Sequence, residues 1–266
     1  MTHSETITSP QNQHVQLMRS LATQSKARRK EQAFLAEGAR LVEDGLRTGY
    51  VPRLVAYKES LSQRASETLD IAWDVKKDNK ASFPILQIED RLFDELTDTE
   101  ASQGIMAVFD IPEAYLPEEP NFLLLLDQVR DPGNMGTILR SAEAAGVQGV
   151  FLLPGTTDPW APKVTRSAMG SHFRLPILTW GIEALEALLM DMHVFYADMD
   201  GKVSLWHADF KEKTALLIGG EAQGASAMGL KLAQKTLRIP MAGGTESLNA
   251  AVSAALLMFE VARQRQ

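Results

Sequence analysis

Apolar residues run through the second half of the chain in short unbroken blocks. Phe122–Leu126 is five apolar residues in succession, as expected of a strand covered on both faces of a parallel sheet. A helical pattern over Ile138–Ala145 follows, then strand-like blocks at Gly149–Leu153, Val194–Ala197, Ala215–Ile218 and Leu237–Ile239. A last helix is predicted from about Ser247 to Arg263, with Leu248, Val252, Ala255, Leu256 and Phe259 as its apolar stripe. Alternating strands and helices predict an open α/β sheet. Ligands of such sheets bind at the carboxyl ends of strands, so the loops after Leu126, Ile218 and Ile239 are where chemistry is expected.

The first half is patterned differently. Phe34, Leu35, Leu41, Val42 and Leu46 recur with helical spacing, while Arg53–Tyr57 and Gly104–Phe109 read as strands. Residues 110–121 hold three prolines and three glutamates and little apolar content, which reads as a linker. The expected organisation is a small mixed α/β domain over 1–110, a linker over 111–121, and an α/β domain over 122–266.

Composition narrows the function classes. Cysteine is absent from the 266 residues, which excludes disulfides, thiolate zinc sites and cysteine nucleophiles together. The five histidines (His3, His14, His172, His193, His207) show no ligand spacing, so no metal is expected. No apolar run reaches the ~18–20 residues of a membrane helix, and the opening residues lack the apolar run of a signal peptide. A cytoplasmic protein without membrane contact is the expectation. The net charge of −7 argues against a general attraction to phosphate. Charge is unevenly placed, however: residues 1–40 carry six basic against three acidic side chains, with Lys26, Arg28, Arg29 and Lys30 clustered. That cluster reads either as a solvated helix face or as an RNA-binding patch.

The three loops each carry a spaced set of polar residues. The first runs Asp127-Gln128-Val129-Arg130-Asp131-Pro132-Gly133-Asn134-Met135-Gly136 and leads to Arg140. Asn134 is placed before the helix, as an N-cap or as a functional side chain. The second is Gly219-Gly220-Glu221-Ala222-Gln223-Gly224, two glycines directly after a strand, suited to backbone pressed on a ligand. It is neither a Walker loop nor GxGxxG, which counts against nucleotide hydrolysis and nicotinamide chemistry. The third places Ile239-Pro240-Met241 before Gly243-Gly244 and Ser247-Leu248-Asn249, where Ser247 also suits a helix cap. Gly224 to Gly229 misses the GxSxG nucleophile elbow of a hydrolase by one residue.

Taken in order, the three loops resemble the three motifs of the SpoU (TrmH) family of RNA ribose 2′-O-methyltransferases. The resemblance rests on Asn134 through Gly146 with Arg140, on Gly219, Glu221 and Gly224, and on Ile239–Met241 with Ser247–Asn249, Glu260 and Arg263. Lys163 through Gly170 resembles a further family stretch. Ile7, Ser9, Asn12 and the run Phe34 through Val42 resemble the family's substrate-binding domain, which is ribosomal-protein-like.

The resemblance implies a C-terminal open parallel sheet closed into a SPOUT-like trefoil knot, a homodimer whose site is completed across the interface, and S-adenosyl-L-methionine as methyl donor. It implies catalytic or substrate-holding roles for Asn134, Arg140, Glu221, Ser247 and Asn249, and cofactor binding near Gly219, Gly220, Ile239, Met241 and Leu248. It favours RNA binding by Lys26, Arg28, Arg29 and Lys30, with ribosomal RNA the expected substrate. It assigns activation of the 2′-hydroxyl to Arg140. A guanidinium holds its proton throughout the working pH range. Two roles therefore stay open: a base in an unusual environment, or a phosphate clamp that stabilises the developing alkoxide. A transfer-RNA methyltransferase and a non-catalytic RNA-binding protein of the same fold are the alternatives.

Overall fold

A computed structural model describes residues 6–78, 82–97, 99, 101–221, 223–245 and 247–266; His3 lies outside them. In chain order the first half forms α1 (Gln13–Thr23), α2 (Ser25–Glu31), β1 (Ala33–Glu37), α3 (Ala39–Arg47), β2 (Leu54–Tyr57), α4 (Gln63–Asp78), β3 (Ile85–Gln87), α5 (Asp90–Asp94) and β4 (Ile105–Asp110). The second half forms β5 (Phe122–Asp127), α6 (Pro132–Ala144), β6 (Gly149–Leu152), α7 (Pro162–Ala168), β7 (Ile177–Leu178), α8 (Ile182–Leu189), β8 (His193–Ala197), β9 (Val203–Ser204), β10 (Thr214–Gly219), α9 (Ala227–Leu232), β11 (Lys235–Arg238) and α10 (Ala250–Gln264). Two compact units result: residues 1–112 with 158–173, and residues 113–157 with 174–266.

The first unit is built on a sheet of order β1-β4-β2-β3, with β2 and β3 parallel and the other pairs antiparallel. Its strands are apolar on both faces because helices cover both. Ala33, Leu35, Leu54, Ala56, Met106 and Val108 pack with Val15, Met18 and Leu21 of α1 and with Phe93 of α5. The alternate residues Phe34, Ala36, Val55, Ile105, Ala107 and Phe109 pack with Val42 and Leu46 of α3 and with Ala65 and Ala72 of α4. The helical reading of Phe34 through Leu46 is therefore corrected. Phe34 and Leu35 are strand residues, and Gly38, at φ +96, turns the chain into α3. Periodicity alone cannot separate a short buried strand from the helix beside it.

The segment 158–173 belongs to this unit although its chain neighbours do not. Trp160, His172 and Phe173 surround the Phe34 ring at centroid distances of 5.1, 6.3 and 5.8 Å. His172 is buried, and its Nε2 lies 2.7 Å from the Pro159 carbonyl, so Nε2 carries the proton while the buried Nδ1 has no partner among the described residues. Burial lowers its pKa to about 4 from 6.5, because a protonated ring would hold its charge away from water and the Pro159 carbonyl and Asp158 offset only part of that cost. A depressed folded pKa means stability that is complete above the unfolded value and is lost as pH falls through the folded one. Urea melts should therefore show this unit losing about 1.4 kcal/mol per pH unit between pH ~6 and ~4. His172→Phe should flatten that part of the profile, and an unchanged profile would exclude His172 as its source.

The second unit holds a seven-stranded sheet, all parallel, of order β7-β6-β5-β10-β8-β11-β9. One face packs Leu123, Leu125, Phe151, Val194, Ala215 and Leu217 with Leu185 and Leu189 of α8. Helix α10 packs on α6 and β10. Three sequence expectations shift here. Helix α6 starts at Pro132, capped by the Asp131 side chain, which accepts from Asn134 N at 2.7 Å. Asn134 thus lies within the first turn and is not the cap. Helix α10 starts at Ala250 with Asn249 as its cap, not Ser247, and the last strand ends before Ile239.

The stripe expected of α10 is also corrected. Its buried apolar residues are Ala251, Ala254, Leu257, Met258 and Val261, with Glu260 also buried, while Val252, Leu256 and Phe259 are 49%, 38% and 50% exposed. The helix is apolar nearly all round, so two stripes compete in the sequence and only packing chooses between them.

Candidate active site

Register explains why the loops meet. Strand β10 lies between β5 and β8, with Gly219 opposite Asp127 and Leu217 opposite Tyr196; β11 pairs Leu237 with Ala197. All run parallel, so four carboxyl ends open on one edge of the sheet.

The loop after β10 is a tight turn, closed by reciprocal backbone hydrogen bonds of 3.0 Å between Gly220 and Gly224. It sits where only glycine fits. A Cβ on Gly219 would stand 2.5 Å from Ala225 N and from the Gly224 carbonyl carbon. One on Gly220 would stand 2.3 Å from the Gln128 carbonyl oxygen. Gly224 is at φ +67, beneath the Tyr196 hydroxyl, which accepts from Ala225 N at 3.2 Å.

A cleft of about 640 Å3 opens beside this turn. Gly219, Gly220 and Glu221 form one wall, and Ile239, Met241, Ser247, Leu248 and Asn249 form another. Every residue expected to bind cofactor thus lines one cleft. Tyr196, Asp198 and Met199, from the end of β8, complete it. These three were missed, although the rule that selected the other loops also applies to the carboxyl end of β8.

Side chains of all three motifs join at the rim. Asn134 Nδ2 donates to Glu221 Oε1 at 2.7 Å, and Asn249 Nδ2 donates to Asn134 Oδ1 at 2.9 Å. Asn249 Oδ1 in turn accepts from Ala251 N and Val252 N at the start of α10. Both ends of the Asn134 amide are therefore fixed, with one N–H left for a ligand. Below them Asp127 is fully buried and accepts from Ser226 N at 2.6 Å. Arg140 is not brought into this chain. It stands exposed on α6, with no side-chain hydrogen bond or ion pair among the described residues.

The basic cluster divides. Lys26, Arg29 and Lys30 are exposed on α2. Arg28 is 5% exposed, donates to Asp158 Oδ2 through Nε at 2.8 Å and to the Leu21 carbonyl at 2.6 Å. Its expected RNA contact is corrected: a guanidinium enclosed by its own unit is a structural strut. The structure thus separates two predictions. Arg28→Ala should cost stability, about 2 kcal/mol for the lost charged hydrogen bonds, read in urea melts. Lys26→Ala/Arg29→Ala/Lys30→Ala should instead weaken RNA binding and flatten its salt dependence by somewhat under ~1 unit of log K per log salt for each lost phosphate contact. Unchanged affinity and slope in the triple variant would make the cluster only a solvated face.

Residues 121–259 match the SpoU rRNA Methylase family, and residues 12–107 match the MRM3-like substrate binding domain. The chain belongs to the SpoU rRNA methylase family. It is 32% identical to the Bacillus subtilis 23S rRNA (guanosine(2553)-2′-O)-methyltransferase RlmP over 96% of this chain and 98% of that one. It is also 32% identical to a Streptomyces viridochromogenes 23S rRNA (uridine(2479)-2′-O)-methyltransferase, over 96% and 91%. Among solved structures, an AdoMet-bound rRNA methyltransferase from Sinorhizobium meliloti superposes with a TM-score of 0.83 at 30% identity, covering 97% of each chain. The SpoU fold and its two-part architecture run the length of this chain. Among the described residues no helix is long and apolar enough to cross a membrane, and no group of His, Asp and Glu could hold a metal.

Proposed function

We propose that this protein transfers the methyl group of S-adenosyl-L-methionine to a ribose 2′-hydroxyl of ribosomal RNA. The observation that carries the proposal is the hydrogen-bonded series Asn249–Asn134–Glu221 at the rim of the 640 Å3 cleft. It fixes a donor and a carboxylate where the three motif loops converge, in a chain that matches 2′-O-methyltransferases over nearly its whole length.

The residues present fit the cofactor. Gly219 and Gly220 leave backbone bare against the cleft, and Ile239, Met241 and Leu248 offer apolar and main-chain contacts for an adenosine. When bound, S-adenosyl-L-methionine supplies an electrophilic methyl on a sulfonium. The chain's own residues position the acceptor. The free N–H of Asn134 holds a ribose oxygen, and Glu221, Ser247 and Asn249 hold Asn134 and the ribose in place. The 2′-hydroxyl would give up its proton to solvent water as the C–O bond forms and the sulfonium C–S bond breaks. Arg140, without a side-chain partner among the described residues, grips an RNA phosphate and stabilises the developing alkoxide, which a guanidinium does without giving up its own proton. Affinity for RNA comes from Lys26, Arg29 and Lys30, since residues 113–266 carry 13 basic against 17 acidic side chains.

We further infer a cytoplasmic homodimer with a trefoil-knotted C-terminal domain. The knot is supported by the likeness to solved SpoU methyltransferases and by the way the loops after β10 and β11 share one cleft. The dimer is supported by the exposed apolar residues Val252, Leu256 and Phe259 of α10, joined by Trp206, a contiguous surface that a second copy would cover. Phe259→Glu should halve the mass in light scattering from about twice 29.3 kDa and lower transfer with it. A wild-type protein that runs as a monomer removes the dimer.

The activity itself is tested by transfer of a tritium-labelled methyl group to unmodified 23S rRNA, followed by mapping of the 2′-O-methylated position. Label confined to transfer RNA would move the substrate, and cofactor binding without transfer would favour the non-catalytic reading.

A further inference from the structure

A second cleft, of about 440 Å3, borders the turn after β10. Gly220, Glu221 and Gly224 belong to the walls of both clefts, so this turn is shared between them. The other wall of the second cleft is the first motif loop, with Gln128, Arg130, Asp131 and Pro132. We propose that this cleft receives the nucleobase of the nucleotide being methylated, and that Gln128, Arg130 and Gln223 read it. The inference rests on the methyl-transfer reading above.

Position comes first. The acceptor ribose must meet the methyl donor at the rim formed by Asn134, Glu221 and Asn249. A ribose held there carries its base one glycosidic bond away, and the second cleft shares Glu221 with that rim.

The chemistry of the lining selects a base over a phosphate. Arg130 supplies one positive charge, whereas Asp131 and Glu221 supply two negative ones, so the cleft as a whole disfavours an anion. The Oδ1 atom of Asp131 is already occupied by Asn134 N. Gln128 and Gln223 each present a carbonyl acceptor and an amide donor, the paired groups that a base edge requires. Arg130 Nη2 donates to Gln128 Oε1 at 3.2 Å, which leaves the second lone pair and the amide N–H groups of Gln128 for a base, and the planar guanidinium can stack on a flat ring.

The cleft is also held in shape. Gln128 adopts a left-handed conformation, φ +58, which a side-chain-bearing residue seldom takes without support. Its carbonyl oxygen is the atom that a Cβ on Gly220 would strike at 2.3 Å, so the two loops are pressed together at this point. The strained backbone fixes where the side chain leaves the loop, and the hydrogen bond from Arg130 to its Oε1 gives the amide a defined direction.

The test uses the full chain and in vitro transcribed 23S rRNA, with the 2′-O-methylnucleosides released by nuclease digestion and quantified. Wild type should yield one methylated nucleoside. Gln128→Ala/Gln223→Ala should raise the KM for the transcript about tenfold, equivalent to one lost pair of base contacts of about 1.4 kcal/mol, and should yield a second methylated nucleoside. The dissociation constant for S-adenosyl-L-methionine should stay within about twofold, because neither glutamine lines the first cleft. Gln223→Glu, which keeps the shape and removes the donor, should shift the product ratio even if the double variant fails to fold. Unchanged KM and a single product in either variant would overturn the proposal. So would a cofactor dissociation constant rising in step with KM, since the glutamines would then only shape the turn. A wild type that transfers no methyl group to either ribosomal or transfer RNA withdraws the methyl-transfer reading, and the base cleft with it.

Discussion

Arg140→Ala is expected to lower methyl transfer by about 10²–10³ while leaving the affinity for S-adenosyl-L-methionine within a few-fold, as for loss of a group acting on transition-state charge. The expectation follows from place and surroundings. Arg140 is exposed on α6, outside the lining of the 640 Å3 cleft, and without an internal partner among the described residues. Its removal therefore leaves no buried charge behind, and stability should barely change. Arg140→Lys should also fail, because an ammonium lacks the planar fork that grips a phosphate through two parallel hydrogen bonds. Single-turnover transfer to rRNA and calorimetric titration with the cofactor separate the two effects. A lysine variant of near-normal rate would remove the two-pronged phosphate clamp.

Gly219→Ala is expected to lower transfer by about a hundredfold, the scale of a misplacement of about 1 Å in a catalytic constellation. It should also weaken cofactor binding. The new methyl group has no room: Ala225 N and the Gly224 carbonyl carbon would both stand 2.5 Å away, and both are backbone atoms. The turn must move, carrying Glu221 away from Asn134 and breaking the 2.7 Å hydrogen bond between them. Gly243→Ala is the control, since a Cβ there meets nothing within 4 Å among the described residues and Gly243 has no positive φ. Titration with the cofactor and the transfer assay should show the first variant impaired and the second near wild type. Equal behaviour of the two would mean that the turn is not held as tightly as its contacts require.

The exposed face of α10 and the buried Arg28 show how far pattern reading reaches. Both were misread for the same reason: a sequence states how apolar or how charged a residue is, but not which neighbour has already claimed it. Arg28, Arg29 and Lys30 are equivalent in sequence, and only the packing of residues 158–173 onto the first unit encloses one of them.

What the sequence determined by itself was the unbroken apolar blocks of a parallel sheet, the glycine pair after β10, and the three spaced motifs that identify the family. Those features are local, set by residue type and by separations of a few positions. The tertiary structure decided what depends on distant partners. It placed β10 between β5 and β8, which lets Asn134, Glu221 and Asn249, residues 87 and 115 positions apart in their hydrogen-bonded pairs, act as one group. It drew Asp198 and Met199 into the 640 Å3 cleft, and it set Gln128 against Gly220 to form the second. Strand order and loop contact arise from packing between segments far apart in the chain, and no window along the sequence contains both partners.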